Sequence, residues 1–177
     1  MIKSNTYNSI TSRLAVDAGA DMEQLIIDSR DALGELEYIE CMGNLHYYRK
    51  EYQKAALLYE QAMKRSPDYD CARYHYIVGL QDESVGALTD AFDRYQAAIE
   101  IEPEFIDTYI ELGALLCKVG DYKGAYQCYT DAILLDPKSM AIRHNQLQVL
   151  LCLSKKDPGA YSEAFKIAHA EYDALKD

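Results

Sequence analysis

His144 and Cys152 have the side-chain types of a general base and a nucleophile, the pairing that activates a thiol for covalent catalysis. They stand eight residues apart on one predicted helix, too far to share a proton, and no carboxylate is placed to orient the imidazole. No H-x-x-x-H, no paired cysteine ligands and no glycine-rich phosphate loop occur. Catalysis, a bound metal and a cofactor are therefore not expected. His46, His75 and His144 read as structural, and Cys41, Cys71, Cys117, Cys128 and Cys152, odd in number and never CxxC, read as small thiols in a reducing compartment.

The remaining chemistry is that of recognition. Sixteen Tyr, three Phe and no Trp give large rings with hydroxyl handles, suited to helix interfaces and binding grooves. With 18 basic against 29 acidic residues the formal net charge is -11, which argues against nucleic acid, whose phosphates demand clustered Lys and Arg. Charge is uneven. From Asp82 to Glu111 there are nine acids and one base, Arg94, a candidate face for a basic partner, whereas Lys138 to Lys156 holds four bases and no acid. The first residues, MIKSNTYNSITSR, lack an apolar core of signal-peptide length, and no run of some 18 apolar residues occurs, so a soluble cytoplasmic protein without membrane insertion is expected.

The elements that must position these side chains come from a repeat. EYQKAALLYEQAMKRSP, ALTDAFDRYQAAIEIEP and DYKGAYQCYTDAILLDP share one skeleton: Ala55, Tyr59, Ala62, Pro67; Ala91, Tyr95, Ala98, Pro103; Ala125, Tyr129, Ala132, Pro137. Gly43, Gly79 and Gly113 each stand twelve residues before the first Ala. From Gly79 to Gly113 the period is 34, but Gly43 to Gly79 is 36, so two extra residues belong in the turn SPDYDCA. Apolar and small residues recur at three and four, which is helical spacing, and no stretch alternates as a strand. Each unit is two helices, with the prolines ending the second. A helical glycine is about 1 kcal/mol worse than alanine, so three in phase imply close approach of a second helix, with Ala55, Ala91 and Ala125 facing them. Tyr59, Tyr95 and Tyr129 are expected to fill the gap to the next pair, and Ala62, Ala98 and Ala132 to leave room for the following helix.

This pattern resembles the tetratricopeptide repeat, a 34-residue helix-turn-helix carrying W-x2-L-G-x2-Y, then A-x3-F, then P. The third unit reads Tyr109, Leu112, Gly113, Leu116, Ala125, Tyr129, Pro137; the first Ile39, Met42, Gly43, His46, Ala55, Tyr59, Pro67; the second His75, Val78, Gly79, Asp82, Ala91, Tyr95, Pro103. The family's Trp is absent. The fold so implied is all α: an α-solenoid of three clear repeats, about 36–71, 72–105 and 106–139, and a degenerate fourth with its cap over 140–177. The fourth has Leu147 in place of Gly and a turn, SKKDPGAY, that looks lengthened. Ahead of residues 36–177, DMEQLIIDSRDAL forms an amphipathic helix in 21–35, with Met22, Leu25, Ile26 and Leu33 on one side, either capping the first repeat or joining a second copy as a homodimer. Residues 1–20 are polar and expected to be mobile.

The resemblance implies a concave groove lined by the first helix of each pair, binding a peptide segment of a partner in an adaptor or scaffold. Helical phase assigns to it Glu37, Glu40, Asn44, Tyr47 and Tyr48; Arg73, Tyr76, Ile77 and Leu80; Asp107, Ile110, Glu111, Ala114 and Cys117; and His144, Asn145 and Gln148, with Tyr47, Tyr76 and Ile77 open to being core instead. Tyrosines beside acids imply a ligand with apolar anchors and basic residues. The version of the fold that clamps an acidic heat-shock chaperone tail would have Lys at Glu40, Asn at Asn44, Asn at Ile77, Lys at Asp107 and Arg at Glu111; only Asn44 agrees, and the three acids would repel a terminal carboxylate. The layout, a small acidic protein with an N-terminal helix before about three repeats, is also similar to bacterial type III secretion chaperones for translocator proteins. That leaves a dedicated chaperone of an aggregation-prone client as the alternative to an adaptor.

Overall fold

The computed structural model describes residues 3–176, and among these it contains ten helices and no strand. They are α1 (Asn5–Leu14), α2 (Ala20–Asp28), α3 (Arg30–Tyr48), α4 (Tyr52–Arg65), α5 (Ala72–Ser84), α6 (Leu88–Ile101), α7 (Ile106–Val119), α8 (Tyr122–Leu135), α9 (Met140–Lys156) and α10 (Pro158–Ala174). The chain falls into two compact units, one ending at Val78 and the other beginning at Gly79, so that the boundary lies inside α5.

In the first unit α3 and α4 form the hairpin that the repeat spacing predicts. A β-carbon added at Gly43 would meet Cε1 of Tyr59 at 2.6 Å, so the ring of the second helix lies directly on the first. Tyr59, Ala55 and Ala62 are fully buried. The second unit repeats the contact twice, Gly79 against Tyr95 at 2.6 Å and Gly113 against Tyr129 at 2.9 Å. The tyrosines therefore close their own hairpin, not the gap to the next one. It is the ring, not the alanine, that the glycine admits, because a planar ring needs a backbone stripped of its β-carbon to come this near.

The turns repeat as well. Gly86 and Gly120 both adopt φ 83° seven residues after the packing glycine, and Lys50 takes the same place in the first hairpin with φ 60°. Each turn carries the paired bonds of a Schellman motif: Lys50 N donates to Tyr47 O and Glu51 N to His46 O, as Gly120 N does to Cys117 O and Asp121 N to Leu116 O. Lys50 is thus held left-handed without the freedom of glycine. The two inserted residues lie in the connection 66–71, six residues long where 102–105 and 136–139 have four. Pro67, Pro103 and Pro137 follow extended C-caps at Ser66, Glu102 and Asp136, the conformation that a residue before proline favours.

The fourth hairpin departs from expectation at its turn. Only Asp157 separates α9 from α10, its side chain accepting from Ala160 N at 3.1 Å with Pro158 opening the helix. Both helices run to 17 residues, so the extra chain is absorbed into helix and the turn is not lengthened. Leu147, Leu150 and Ala168 form its core with Phe165 and Tyr172 packed against them, while Ile167 remains 54% exposed on the last helix.

Residues ahead of the first repeat also differ from expectation. Residues 5–14 of the segment expected to be mobile form α1, with Ile10 and Leu14 only 2% and 1% exposed; residues 1 and 2 lie outside the described residues. Ser4 caps α1 by accepting from Tyr7 N. Ile10 and Leu14 meet Met22, Ile26, Leu33, Cys41 and Leu45 in one core, with Leu25 partly buried against it. The apolar face of α2, Met22 and Ile26, is thereby packed within the chain against α1 and α3. The expected single helix over 21–33 is interrupted at Ser29, and α3 is kinked at Gly34, where φ 71° and ψ 172° are open to glycine alone.

Candidate partner-binding site

In the first unit, α3 presents residues 37, 40, 41, 44 and 48 along one stripe, and every one of them is engaged. Glu37 accepts from the backbone N and the hydroxyl of Ser4, at 2.8 and 2.6 Å. Glu40 pairs with the Lys3 ammonium and accepts from the Tyr7 hydroxyl at 2.5 Å. Cys41 is buried among α1 and α2, where desolvation pushes its thiol up to about 12. Asn44, 6% exposed, accepts from the Tyr59 hydroxyl at 2.7 Å, so it satisfies the packing tyrosine and is not free for a ligand. Tyr48 packs against the core that α1 and α2 share with α3.

Three more residues assigned to the groove are packing residues. Tyr47 and Tyr76 are 7% and 6% exposed and meet edge to face at 6.1 Å, and Ile77 is fully buried. Arg73 sets its guanidinium 5.6 Å from the Tyr47 ring. His46 and His75 serve local structure, His46 beside Glu51 at 2.7 Å and His75 beside Asp70 at 2.9 Å.

The second unit leaves its first-helix face accessible. Asp107 and Ala114 on α7 are exposed, and Ile110, Glu111 and Leu80 are half-buried. Burial, then the neighbouring Glu83 and Asp107, raises the Glu111 carboxyl above its ordinary range. Glu83 is held by the Tyr95 hydroxyl at 3.1 Å and the Lys118 ammonium at 2.6 Å. α7, α8 and α9 form an open cavity of about 290 Å³ lined by Cys117, Tyr122, Tyr129, Asn145, Gln148, Val149 and Cys152.

That cavity brings together Cys117, Asn145 and Gln148, three residues assigned from helical phase, and leaves His144 outside it, exposed and 6.1 Å from the Tyr172 ring. Tyr122, Val149 and Cys152 were missed, although 145, 148, 149 and 152 follow the spacing of one helix face. Tyr129 differs from its two counterparts. The hydroxyls of Tyr59 and Tyr95 have acceptors in Asn44 and Glu83, whereas that of Tyr129 has no hydrogen-bond partner among the described residues. Rings and Val149 offer an apolar wall, two amides offer donors and acceptors, and the volume falls just short of a typical small-molecule site while suiting one large side chain.

The chain resembles proteins built from tetratricopeptide repeats. It is 28% identical over 127 residues to Tetratricopeptide repeat protein 37 of Xenopus laevis, covering 68% of this chain and 8% of that protein. It is 28% identical over 97 residues to Hsp70-Hsp90 organizing protein 3 of Arabidopsis thaliana, covering 55% of this chain and 17% of that protein. The crystallised MamA from Desulfovibrio magneticus RS-1, residues 41 to the end, superposes with a TM-score of 0.56 at 15% identity, over 99% of this chain and 96% of that one. No family model matches. The fold is accordingly an α-solenoid of tetratricopeptide repeats. The chain spans 8% to 21% of the length of the curated relatives it matches. No helix among the described residues is long and apolar enough to cross a membrane.

Proposed function

We propose that the protein is a non-catalytic protein-interaction module, an adaptor or scaffold in which the open first-helix face of the second unit holds a peptide segment of a partner. The cavity between α7 and α9 carries this reading: it takes an apolar or aromatic side chain of the peptide, with Asn145 and Gln148 pairing the adjacent backbone and the Tyr129 hydroxyl as a further donor. Glu111, whose charge acts on Tyr129 of the cavity wall, favours a basic residue near that anchor. The name of the Arabidopsis relative refers to Hsp70 and Hsp90, but Asp107 and Glu111 make an acidic tail a poor ligand for this face. The five free thiols suit work in the cytoplasm.

The test is affinity capture on the immobilised full chain, compared with an Asn145→Ala/Gln148→Ala variant of unchanged circular dichroism. Proteins held by the first and released by the second support the reading; an identical captured set for both overturns it. The chaperone alternative draws on an apolar crevice of about 260 Å³ lined by Leu88, Phe92, Leu115, Leu116 and Val119, a surface that could shield an aggregation-prone segment. A client that stays soluble only with this protein present would favour it.

A further inference from the structure

Residues 3–16 contain Lys3 and Arg13 and no acid, in a chain whose formal net charge is -11. This basic segment lies on the acidic stripe of α3, packing chiefly on that helix and not pairing with α2 as one half of a repeat hairpin. The Lys3 ammonium lies against Glu40 and 4.4 Å from the Tyr7 ring centre, with the Tyr69 ring 5.6 Å away; Ser4 gives two hydrogen bonds to Glu37; and Tyr7 gives one to Glu40. Tyr69 belongs to the lengthened connection 66–71, so the insertion builds part of the seat. Ile10 and Leu14 follow at one-turn intervals and fill the apolar end.

A cap needs only the apolar half of α1. Bringing two carboxylates out of water to meet an ammonium and two hydroxyls adds discrimination more than stability. These groups also remain within reach of solvent, the side chains of Lys3 and Glu40 being 25% and 12% exposed.

We propose that the Glu37–Glu40 stripe of α3 is a peptide-recognition surface in its own right, that residues 3–14 are its built-in occupant, and that it accepts from a partner a helical segment of the same chemistry. That segment has a lysine, a serine or threonine at the helix N-cap, a tyrosine three residues further on, and apolar residues three and seven beyond the tyrosine. The tethered occupant competes at an effective concentration of about millimolar, so the surface is closed until the tether loosens or a better match arrives. It is separate from the cavity of the second unit, and either assignment can fail without the other.

The experiment titrates a fluorescently labelled peptide of residues 3–14, KSNTYNSITSRL, into the full chain and into two full-chain variants. Lys3→Ala/Tyr7→Phe loosens the occupant; the second variant adds Glu37→Gln and Glu40→Gln. The peptide is expected to bind the loosened variant roughly tenfold more tightly than the unaltered chain, and to lose roughly tenfold when the carboxylates are also removed, as the loss of charged hydrogen bonds implies. Lys3→Ala alone gives the same ranking where the double variant is unstable by circular dichroism. Equal affinity across the three proteins, no binding to any, or equal binding of a scrambled peptide overturns the proposal. A loosened variant that doubles its mass by light scattering without peptide identifies a second copy as the occupant, and overturns the partner assignment.

Discussion

The first-helix face of α3 and that of α7 are built on the same skeleton, a glycine under a tyrosine ring from the following helix, yet one is covered and the other open. On α3 the two carboxylates have partners in Lys3, Ser4 and Tyr7, the thiol is buried against α1 and α2, and the amide meets Tyr59 of α4. On α7 the half-buried Glu111 carboxyl feels the charges of Glu83 and Asp107, and the Tyr129 hydroxyl has no acceptor among the described residues. The repeated positions thus decide packing, and the positions between them decide what is accessible.

The largest effect is expected at the cover. Leu14→Ala removes a side chain that is 1% exposed and should destabilise the first unit by about 2 to 5 kcal/mol, measured by urea unfolding. Ala114→Ser on the open face should move the same midpoint by no more than about 0.5 kcal/mol. Next comes the shared skeleton. Gly43→Ala would ordinarily help a helix, but its methyl would press on a fully buried ring at 2.6 Å, so a net loss of about 1 to 3 kcal/mol is expected, with a smaller loss for Gly113→Ala, where the approach is 2.9 Å. Equal stabilisation by both would dissolve the shared contact.

The remaining effects are smaller. Lys50→Gly should stabilise the first hairpin by about 0.5 to 1 kcal/mol, the relief of a left-handed residue less the added freedom of the unfolded chain, read as a raised thermal midpoint. The same exchange made at Gly86 in the opposite sense should lower it. Glu111 holds its proton more tightly when folded than when unfolded, so stability is full below about pH 4.5 and falls as pH rises past it. Glu111→Gln should therefore match the unaltered chain near pH 4 and exceed its thermal midpoint at pH 7.

Much of this was legible where local pattern and tertiary packing agree. Gly43, Ala55 and Tyr59 recur in phase because ring-on-backbone contact tolerates no other arrangement, and the two extra residues were placeable because only a connection could absorb them. α1 was not legible. Tyr7, Ile10 and Leu14 are three apolar residues among polar ones, too few to stabilise an isolated helix; the cover comes from partners on α3, distant in the chain. Asn44 read as a ligand-facing amide because its acceptor role depends on Tyr59, fifteen residues on. Lys50 gave no sign of its left-handed backbone, since the marker of that conformation in the other turns is glycine. In the second unit the cavity is half visible in the sequence: Asn145 and Gln148 follow from helical phase, whereas Tyr122 and Cys152 become lining only through the packing of α7, α8 and α9.

The rings clamped on Gly43, Gly79 and Gly113 have an optical consequence. In a chain with no tryptophan, each of these three hairpins contains its own rigid phenol, fixed in an asymmetric setting that gives near-ultraviolet dichroism and vanishes on melting. Burial keeps the Tyr59 and Tyr129 hydroxyls from ionising at alkaline pH. Phenolate absorbance that appears only after denaturation is therefore a built-in gauge of how firmly each pair of helices is shut.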